Sequence, residues 1–244
     1  MIVVDGVTKR FKVPVLRDVS LRVPQGRIVA LVGPGASGKS VLFKVMTGLM
    51  RPDGGRVVVD GEEVSSMGEL ALGRVRKRIG MLFQNNALFD HMTVGDNIAF
   101  PLRRLFSPPE SEVHGRVAER LERMALGGFE ARMPGGLSGG QRKRVGIARA
   151  TITRAPMVLY DEPTAGLDPV TSQKIYNLIR DEQRADGSTV VVISSDVQGV
   201  LSIADRVAML NRGEFVFEGA VDEARASSHG ALRQFLNGLD EGPL

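Results

Sequence analysis

The spacing of hydrophobic residues predicts a chain with strand-rich ends and a helical middle. Short apolar, β-rich runs occupy residues 2–4, 15–23, 27–32, 56–60, 79–83, 157–160 and 189–194. Runs of this kind that lack polar alternation are typical of strands buried in a sheet. Other segments predict helices over 39–49, 170–184 and 231–236, and a hairpin over 206–219 that turns at 211–213. This order of elements predicts an α/β fold.

Between about residues 93 and 154 the pattern is helical. Val113, Val117, Leu121 and Met124 lie at i, i+4, i+8 and i+11, which puts them on one face of an amphipathic helix over 109–126. A proline at 109 suits the first helical turn, and glycines at 127 and 128 end the helix. We therefore divide the chain into an α/β core of residues 1–86 and 156–225, a helical insertion of residues 87–155, and a C-terminal tail of residues 226–244.

Composition narrows the class of protein without naming a function. The 32 basic and 28 acidic residues give a net charge of only +4, which is too small to indicate nucleic-acid binding. The absence of cysteine excludes a disulfide scaffold, a cysteine-ligated zinc site and a thiol nucleophile. No signal peptide is predicted at the N-terminus, and no apolar run approaches the roughly 18 residues of a membrane-spanning helix. We expect a soluble, cytosolic protein.

The apolar run at 27–32 leads into a glycine-rich stretch with the pattern G-x-x-x-x-G-K-[ST]. The stretch comprises Gly33, Pro34, Gly35, Ala36, Ser37, Gly38, Lys39 and Ser40, and Val41 follows it into the predicted helix. Glycines let backbone N–H groups turn toward phosphate oxygens, and a helix N-terminus adds its positive dipole. Lys39 would reach the β- and γ-phosphates, and the Ser40 hydroxyl would bind Mg²⁺. A chance match is the alternative, but the strand before and the helix after favour a nucleotide site.

A second apolar run, at 157–160, ends in two acids. Asp161 is the carboxylate expected on the Mg²⁺ side of a nucleotide site. Glu162, one residue further, could polarise a water for in-line attack on a phosphate. An apolar run followed by two acids is by itself more often a strand that ends at solvent. Its presence in a chain with a phosphate-binding loop favours the catalytic interpretation.

The sequence Leu137-Ser138-Gly139-Gly140-Gln141 lies 24 residues before Asp161 and resembles the signature motif of ATP-binding-cassette (ABC) ATPases. Ser138 can cap a helix whose first N–H groups belong to Gly139 and Gly140, which creates an anion site. The alternative is a glycine-rich cap with a structural role only. The resemblance implies a P-loop NTPase fold, with a RecA-like α/β core, an antiparallel β part and a helical subdomain. It also implies ATP and Mg²⁺ as cofactors, and a head-to-tail homodimer in which each signature closes on the partner's ATP.

Three further positions resemble motifs of the same family. Gln84 matches the Q-loop glutamine, which contacts Mg²⁺ and water and links the site to the membrane partner. Asp168 matches the D-loop aspartate at the subunit interface. Phe11 matches the aromatic A-loop residue that stacks on adenine, although a lone phenylalanine is more often part of a core.

Two positions depart from the family's pattern. Ala36 stands where the family usually has glycine, and its Cβ could strain a backbone that favours positive φ. Ser195, in Ser194-Ser195-Asp196, stands where the family has a histidine that reaches the γ-phosphate. A serine is shorter, uncharged and unable to act as a base at neutral pH. We expect ATP to bind and dimerise the subunits while hydrolysis is slowed, and a binding module that does not hydrolyse ATP is one alternative.

Several short segments resemble the ATPases of bacterial Mla/Mce-type transporters, which move phospholipids between the inner and outer membranes. These segments are residues 84–90, 93–103, 200–205, 233–238 and 242–243. They share features with amino-acid importer ATPases, so the ATPase of a polar amino-acid or other small-molecule importer is the alternative. A chromosome-organising cassette is a weaker rival, because the insertion is too short for a coiled coil.

The resemblance also implies partners and a location. The main partner is a membrane permease, bound through the helical subdomain and the Q-loop region. Mce-domain lipid-binding proteins and small accessory proteins are further partners, and no binding of nucleic acid is expected. The location is the cytoplasmic face of the bacterial inner membrane, with peripheral attachment. We expect Phe89, Val94 and Ile98 to divide between the subdomain core and a groove for the permease. The basic runs at 74–78, 103–104 and 142–144 are interpreted as solvated helix faces, and a face toward phosphates or lipid headgroups is the alternative.

Overall fold

The structure, a computed structural model, describes residues 1–244. The strands are β1 (Ile2–Arg10), β2 (Pro14–Val23), β3 (Ile28–Val32), β4 (Gly54–Val59), β5 (Glu62–Glu63), β6 (Ile79–Leu82), β7 (Met157–Asp161), β8 (Thr189–Ile193), β9 (Arg206–Asn211) and β10 (Glu214–Ala220). The helices are α1 (Lys39–Met46), α2 (Glu69–Arg76), α3 (Val94–Leu105), α4 (Glu110–Arg123), α5 (Gly139–Thr151), α6 (Pro169–Asp186), α7 (Val197–Leu201), α8 (Val221–Ala226) and α9 (Gly230–Asn237). None of these helices combines the length and the apolar character needed to cross a membrane.

The chain forms two compact units, Met1–Arg76 with Thr189–Leu244, and Lys77–Ser188. The first unit contains an antiparallel sheet with the strand order β2-β1-β4-β5. It also contains the strands β10-β9-β3-β8, in which β3 is parallel to both β8 and β9 and antiparallel pairing joins β9 to β10. Every residue of β3 and of β8 is buried, as expected for strands without polar alternation. The carboxyl end of β3 leads directly into the glycine-rich loop and α1.

The second unit builds helices α3 to α6 around the parallel pair β6 and β7. Ile79 pairs with Met157, and Leu82 pairs with Tyr160. Helix α5 lies very close to β6. A Cβ on Gly80 would stand only 2.0 Å from the carbonyl oxygen of Ala150. Glycine at position 80 therefore sets the distance between helix and strand. The catalytic candidates of this unit lie at the ends of the elements packed in this way.

Two arginines and an acid of the second unit form an ionic cluster between α4 and α6, in which Arg120 and Glu182 are buried and Arg123 is partly exposed. Arg120 Nη1 donates to Glu182 Oε2 and, at 3.1 Å, to Thr151 Oγ1 of α5. Arg123 Nη2 lies 2.6 Å from the other carboxylate oxygen of Glu182. Burial raises the pKa of Glu182, while the charges of Arg120 and Arg123 oppose that rise. Three helices are thereby joined through charged groups that are paired rather than left alone in the interior.

Most predicted elements are confirmed, and the exceptions have physical reasons. Strand β1 continues to Arg10, well past the predicted 2–4, because antiparallel pairing with β2 and β4 extends it through polar residues that give no apolar signal in the sequence. Helix α2 was not predicted, since only Leu72 and Val75 of its eight residues are buried. Pro109 precedes α4 as its N-cap residue instead of lying inside the helix. The division into core, insertion and tail at residues 86, 155 and 225 stays a prediction.

Candidate functional site

The glycine-rich loop between β3 and α1 fits tightly against its neighbours in the first unit. Gly33 has φ +143° and Gly38 has φ +108°, conformations that side chains rarely adopt. A Cβ on Gly33 would lie 1.9 Å from the carbonyl oxygen of Leu210, and one on Gly38 would lie 2.9 Å from that of Val15. Both positions therefore require glycine. The loop lies against β9 and β2 with no space for side chains there.

A short chain of backbone hydrogen bonds fixes the same loop from behind. The Ser37 carbonyl accepts a hydrogen bond from the Gly213 amide at 3.1 Å, and the Gly213 carbonyl accepts one from Arg17 at 2.8 Å. Gly213 lies in the turn between β9 and β10, with φ +83°. A Cβ there would lie 2.5 Å from the Val15 carbonyl oxygen. The hairpin turn predicted at 211–213 thus supports the loop.

The loop offers donors suited to a polyphosphate. The amides of Gly35, Ala36, Gly38 and Ser40 donate to no group of the protein, and the N-terminus of α1 begins at Lys39. Lys39 Nζ donates to the carbonyl oxygens of Gly33 at 2.7 Å and Pro34 at 2.8 Å. Unbonded amides, a helix dipole and an ammonium group at one place form an anion site. The residues present therefore fit the triphosphate of a nucleotide.

Ala36 adopts a left-handed backbone conformation, in which an alanine was expected to be strained where the family usually has glycine. Its φ is +59°, so the backbone at this position does favour positive φ. The residue is exposed, and strain from its Cβ is of order 1–2 kcal/mol for an ordinary L-residue in this region. The loop thus keeps its shape at some cost in stability.

Two other candidates of the first unit lie at surface positions. Phe11 follows β1 and is 55% exposed, so it does not belong to the core, which was the alternative interpretation. Ser195 is also exposed and directly follows β8 and Ser194. The next residue, Asp196, caps α7 by accepting a hydrogen bond from the Gly199 amide at 3.0 Å. Stacking of Phe11 on adenine and any contact of Ser195 with a γ-phosphate stay predictions.

In the second unit, a buried lysine connects two of the predicted residues. Lys143 of α5 donates from Nζ to the carbonyl oxygen of Gln84 at 3.0 Å and to that of Glu162 at 3.1 Å. Glu162 has φ +50°, an uncommon conformation for a residue with a side chain. Burial lowers the pKa of Lys143, and the negative charges of Glu162 and Asp161 partly counter this effect. Lys143, which sequence reasoning missed, thus holds Gln84 and Glu162 in one region, and Asp161 directly precedes Glu162.

The basic run at 142–144 was interpreted as a solvated helix face, and for Lys143 this is wrong. Lys143 is only 4% exposed. The sequence did contain a signal, because Lys143, Gly146, Ile147 and Ala150 lie at i, i+3, i+4 and i+7. That spacing places the lysine on a face of small and apolar residues, which a helix directs toward the protein interior.

The signature sequence forms a preorganised helix start. Ser138 Oγ accepts a hydrogen bond from the Gln141 amide at 3.3 Å, and Gln141 Oε1 accepts one from the Ser138 amide at 2.9 Å. This reciprocal arrangement is a capping box, which confirms the predicted cap of α5. A Cβ on Gly140 would lie 3.0 Å from Thr171 Cγ2, and one on Gly139 would lie 3.4 Å from Leu167 Cδ2. The glycines therefore let the start of α5 approach the start of α6.

Asp168 caps α6 from its exposed position. Its carboxylate accepts a hydrogen bond from the Thr171 amide at 2.9 Å. Hydrogen bonding to Thr171 lowers the pKa of this carboxyl group, so it is charged at neutral pH. The structure thus gives Asp168 a local role, and its place at a subunit interface stays a prediction.

No group of three or more His, Cys, Asp or Glu side chains forms a metal cage in this protein. Magnesium that arrives with a nucleotide needs only one or two protein carboxylates or hydroxyls, because phosphates and waters supply the remaining ligands. Asp161 and Ser40 are residues of the required chemical type.

Comparison with protein families decides the family. Residues 16–165 match the family model described as ABC transporter. The chain belongs to the ABC transporter family.

Relatives and solved structures agree with this assignment. The intermembrane phospholipid transport system ATP-binding protein MlaF of Escherichia coli K12 is 40% identical over 93% of this chain and 84% of its own length. The probable ribonucleotide transport ATP-binding protein Mkl of Mycobacterium tuberculosis H37Rv is 38% identical over 99% of this chain and 67% of its own length. The dimeric ATP-binding cassette MJ0796, in a post-hydrolysis state with ADP and Pi, has a TM-score of 0.84 at 32% identity, covering 91% of this chain and 99% of that one.

These similarities confirm the predicted fold class, an ABC-type P-loop ATPase with an antiparallel β part and helices. They also identify the chain as an ABC transporter ATP-binding subunit. The relatives are named for different cargoes, since MlaF is named for phospholipids and Mkl for ribonucleotides.

Replacing Ala36 by glycine should stabilise this ABC cassette. We expect Ala36→Gly to raise the free energy of unfolding by about 1 kcal/mol, since glycine adopts positive φ without a Cβ penalty. Urea unfolding followed by circular dichroism measures the change. Gly35→Ala is the matched control, because its φ lies outside the left-handed region and its Cβ would meet nothing within 4 Å. A loss of stability in Ala36→Gly would contradict the assignment of strain.

Proposed function

We propose that the chain is the ATP-hydrolysing subunit of a transporter that moves phospholipids between the inner and outer membranes of a bacterium. The main observation in support of nucleotide binding is the loop at 33–40, whose unbonded amides and Lys39 suit a triphosphate. The lipid cargo is supported by the similarity to MlaF over nearly the whole chain. The alternative is the ATPase of a small-molecule importer, which the similarity to Mkl keeps open.

We assign roles to residues from their motifs and their local environments. Lys39 and the loop amides neutralise and orient the phosphates, and Ser40, Asp161 and Gln84 supply oxygen ligands to Mg²⁺. Magnesium, when bound, offsets negative charge on the phosphates. Glu162 accepts a hydrogen bond from the attacking water and orients it, with the side chain acting as a general base. Phe11, exposed at the end of β1, offers its ring to adenine.

The signature and D-loop residues serve a second copy of the chain. Ser138, Gly139 and Gly140 form a helix start that can bind an anion, and the loop at 33–40 already provides one such site. We infer that the signature helix completes the partner's nucleotide site in a head-to-tail homodimer, with Asp168 at the interface. The dimeric state of the similar cassette MJ0796 supports this arrangement.

The second unit also contains a groove that suits a permease. Phe83, Phe89, Phe100, Pro101 and Leu105 line a cavity of about 310 Å³. The rings of Phe89 and Phe100 lie 4.8 Å apart, whereas Val94 and Ile98 are fully buried. Phe89 therefore lines the groove, whereas Val94 and Ile98 lie in the core.

We propose that a short helix of the permease occupies this groove, with Mce-domain and small accessory proteins completing the transporter. Such docking would place the chain peripherally at the cytoplasmic face of the inner membrane. Gln84 belongs to the loop that leads from β6 toward the groove, which gives the permease a route to the nucleotide site.

Turnover measurements test hydrolysis and the effect of Ser195 together. We expect Glu162→Gln to abolish phosphate release while ATP still binds, because the amide cannot act as a base. We expect Ser195→His to raise turnover by about 10²-fold or more, since one positioned group contributes roughly 10²–10⁴-fold. Ser228→His, at an exposed loop position, is the control for adding an imidazole. No gain in Ser195→His together with loss in Glu162→Gln would refute the slowed-site hypothesis.

Co-purification tests the cargo. The tagged chain, extracted from membranes of its native cell in mild detergent, should bring down a multi-span permease and an Mce-domain protein. A permease accompanied by a periplasmic solute receptor would favour the importer. Recovery of no membrane protein would contradict both transport proposals.

A further inference from the structure

Helix α5 directs two buried cations at the backbone of neighbouring loops. Lys143 binds the carbonyl oxygens of Gln84 and Glu162. Arg149 binds the carbonyl oxygen of Ala87 at 2.7 Å and that of Asn86. Lys143 is 4% exposed and Arg149 is 9% exposed. Four carbonyl groups of two separate loops thus accept hydrogen bonds from one helix.

Three of these four carbonyl groups belong to residues in a strained backbone conformation. Asn86 has φ +60°, Ala87 has φ +50° and Glu162 has φ +50°. Each left-handed non-glycine residue costs of order 1–3 kcal/mol and persists only where its surroundings fix it. All three have their carbonyl oxygens bound by a cation of α5. The cations of α5 therefore lie where the loops need to be constrained.

A structural role alone does not explain why Lys143 supplies a charged ammonium group at this position instead of a neutral donor. Burying a charge is costly unless it is paired or fully hydrogen-bonded, and neutral donors could satisfy two carbonyls. An ammonium makes stronger, charge-assisted hydrogen bonds than a neutral donor. It therefore fixes the two bound carbonyls, and the residues that carry them, more firmly.

We propose that Lys143 is a positioning residue for ATP hydrolysis. It fixes the backbone of Glu162 and of Gln84 relative to each other, and it ties both to the helix that begins at the signature. Movement of the signature on a partner's nucleotide would then be transmitted through α5 to the groups that orient water and Mg²⁺. This inference rests on the proposed function, because the roles of Glu162 and Gln84 belong to it.

Substitution of Lys143 separates positioning from binding. Lys143→Met keeps the length of the side chain and removes every donor, and Lys143→Gln keeps two N–H donors without charge. We expect Lys143→Met to lower kcat by about 10²-fold, since a misplacement of about 1 Å has effects of that size. Lys143→Gln should recover only part of kcat, because its neutral N–H donors form weaker hydrogen bonds than a charged ammonium. The Kd for ATP, measured with a fluorescent analogue, should change less than about threefold, because the phosphate-binding loop is untouched.

Hydrogen exchange provides a readout that needs no nucleotide. In Lys143→Met, amides near residues 84–87 and near Glu162 should exchange faster than in the wild type, while those of β3 and α1 should not. Lys174→Met is the control, since Lys174 is exposed on α6 and should change neither kcat nor exchange at these segments. A melting temperature for each variant shows whether the chain remains folded.

The outcomes distinguish this inference from the proposed function. Wild-type turnover with unchanged kcat and exchange in Lys143→Met would overturn the positioning role and leave the function standing. Equal losses of kcat, ATP affinity and melting temperature in both Lys143 variants would show a structural role only and would also overturn it. A wild-type chain that binds ATP but never releases phosphate would refute the proposed hydrolysis, and the exchange data would then decide whether Lys143 positions the two loops.

Discussion

Hydrogen bonds from the buried cations of α5 to backbone carbonyls are the constraint on which the second unit depends. Without them, the left-handed residues at 86, 87 and 162 would relax toward ordinary conformations. The same helix is fixed at its start by the Ser138–Gln141 capping box and along its side by the close approach to Gly80. A side chain at Gly146 would likewise stand 2.5 Å from Leu82. The helix is thus rigidly placed before it constrains the loops around it.

The first unit obtains its rigidity differently but also through the backbone. Gly33 and Gly38 allow the loop to lie against β9 and β2, and the Gly213 amide fixes the Ser37 carbonyl. Side-chain chemistry is added only at Lys39 and Ser40. Amide groups that have no acceptor within the protein need little reorganisation when an anion binds, which is how preorganised sites stabilise charge. Both units therefore present functional groups on backbones whose conformation is settled elsewhere in the fold.

The parts of the site that could be predicted from the sequence are those encoded by neighbouring residues. The glycine-rich loop, the capping box and the acidic strand end each occupy fewer than ten consecutive positions, and a buried strand is visible as an apolar run. Local spacing indicates that Lys143 is buried, but its role could not be predicted in this way, because its two carbonyl partners lie 59 and 19 residues away in the chain. Every residue has a backbone carbonyl, so the identity of a side chain does not indicate that its carbonyl will accept such a hydrogen bond. The left-handed conformation of Glu162 could not be predicted either, since glutamate has no preference for positive φ.

The claim that α5 constrains both loops is tested most directly by native-state hydrogen exchange of the wild-type chain at increasing urea concentrations. Amides at 84–87 and around Glu162 should open with the same free energy and the same urea dependence as the amides of α5, as members of one cooperative unit. Opening of either loop at a distinctly lower free energy, while α5 remains closed, would contradict the account.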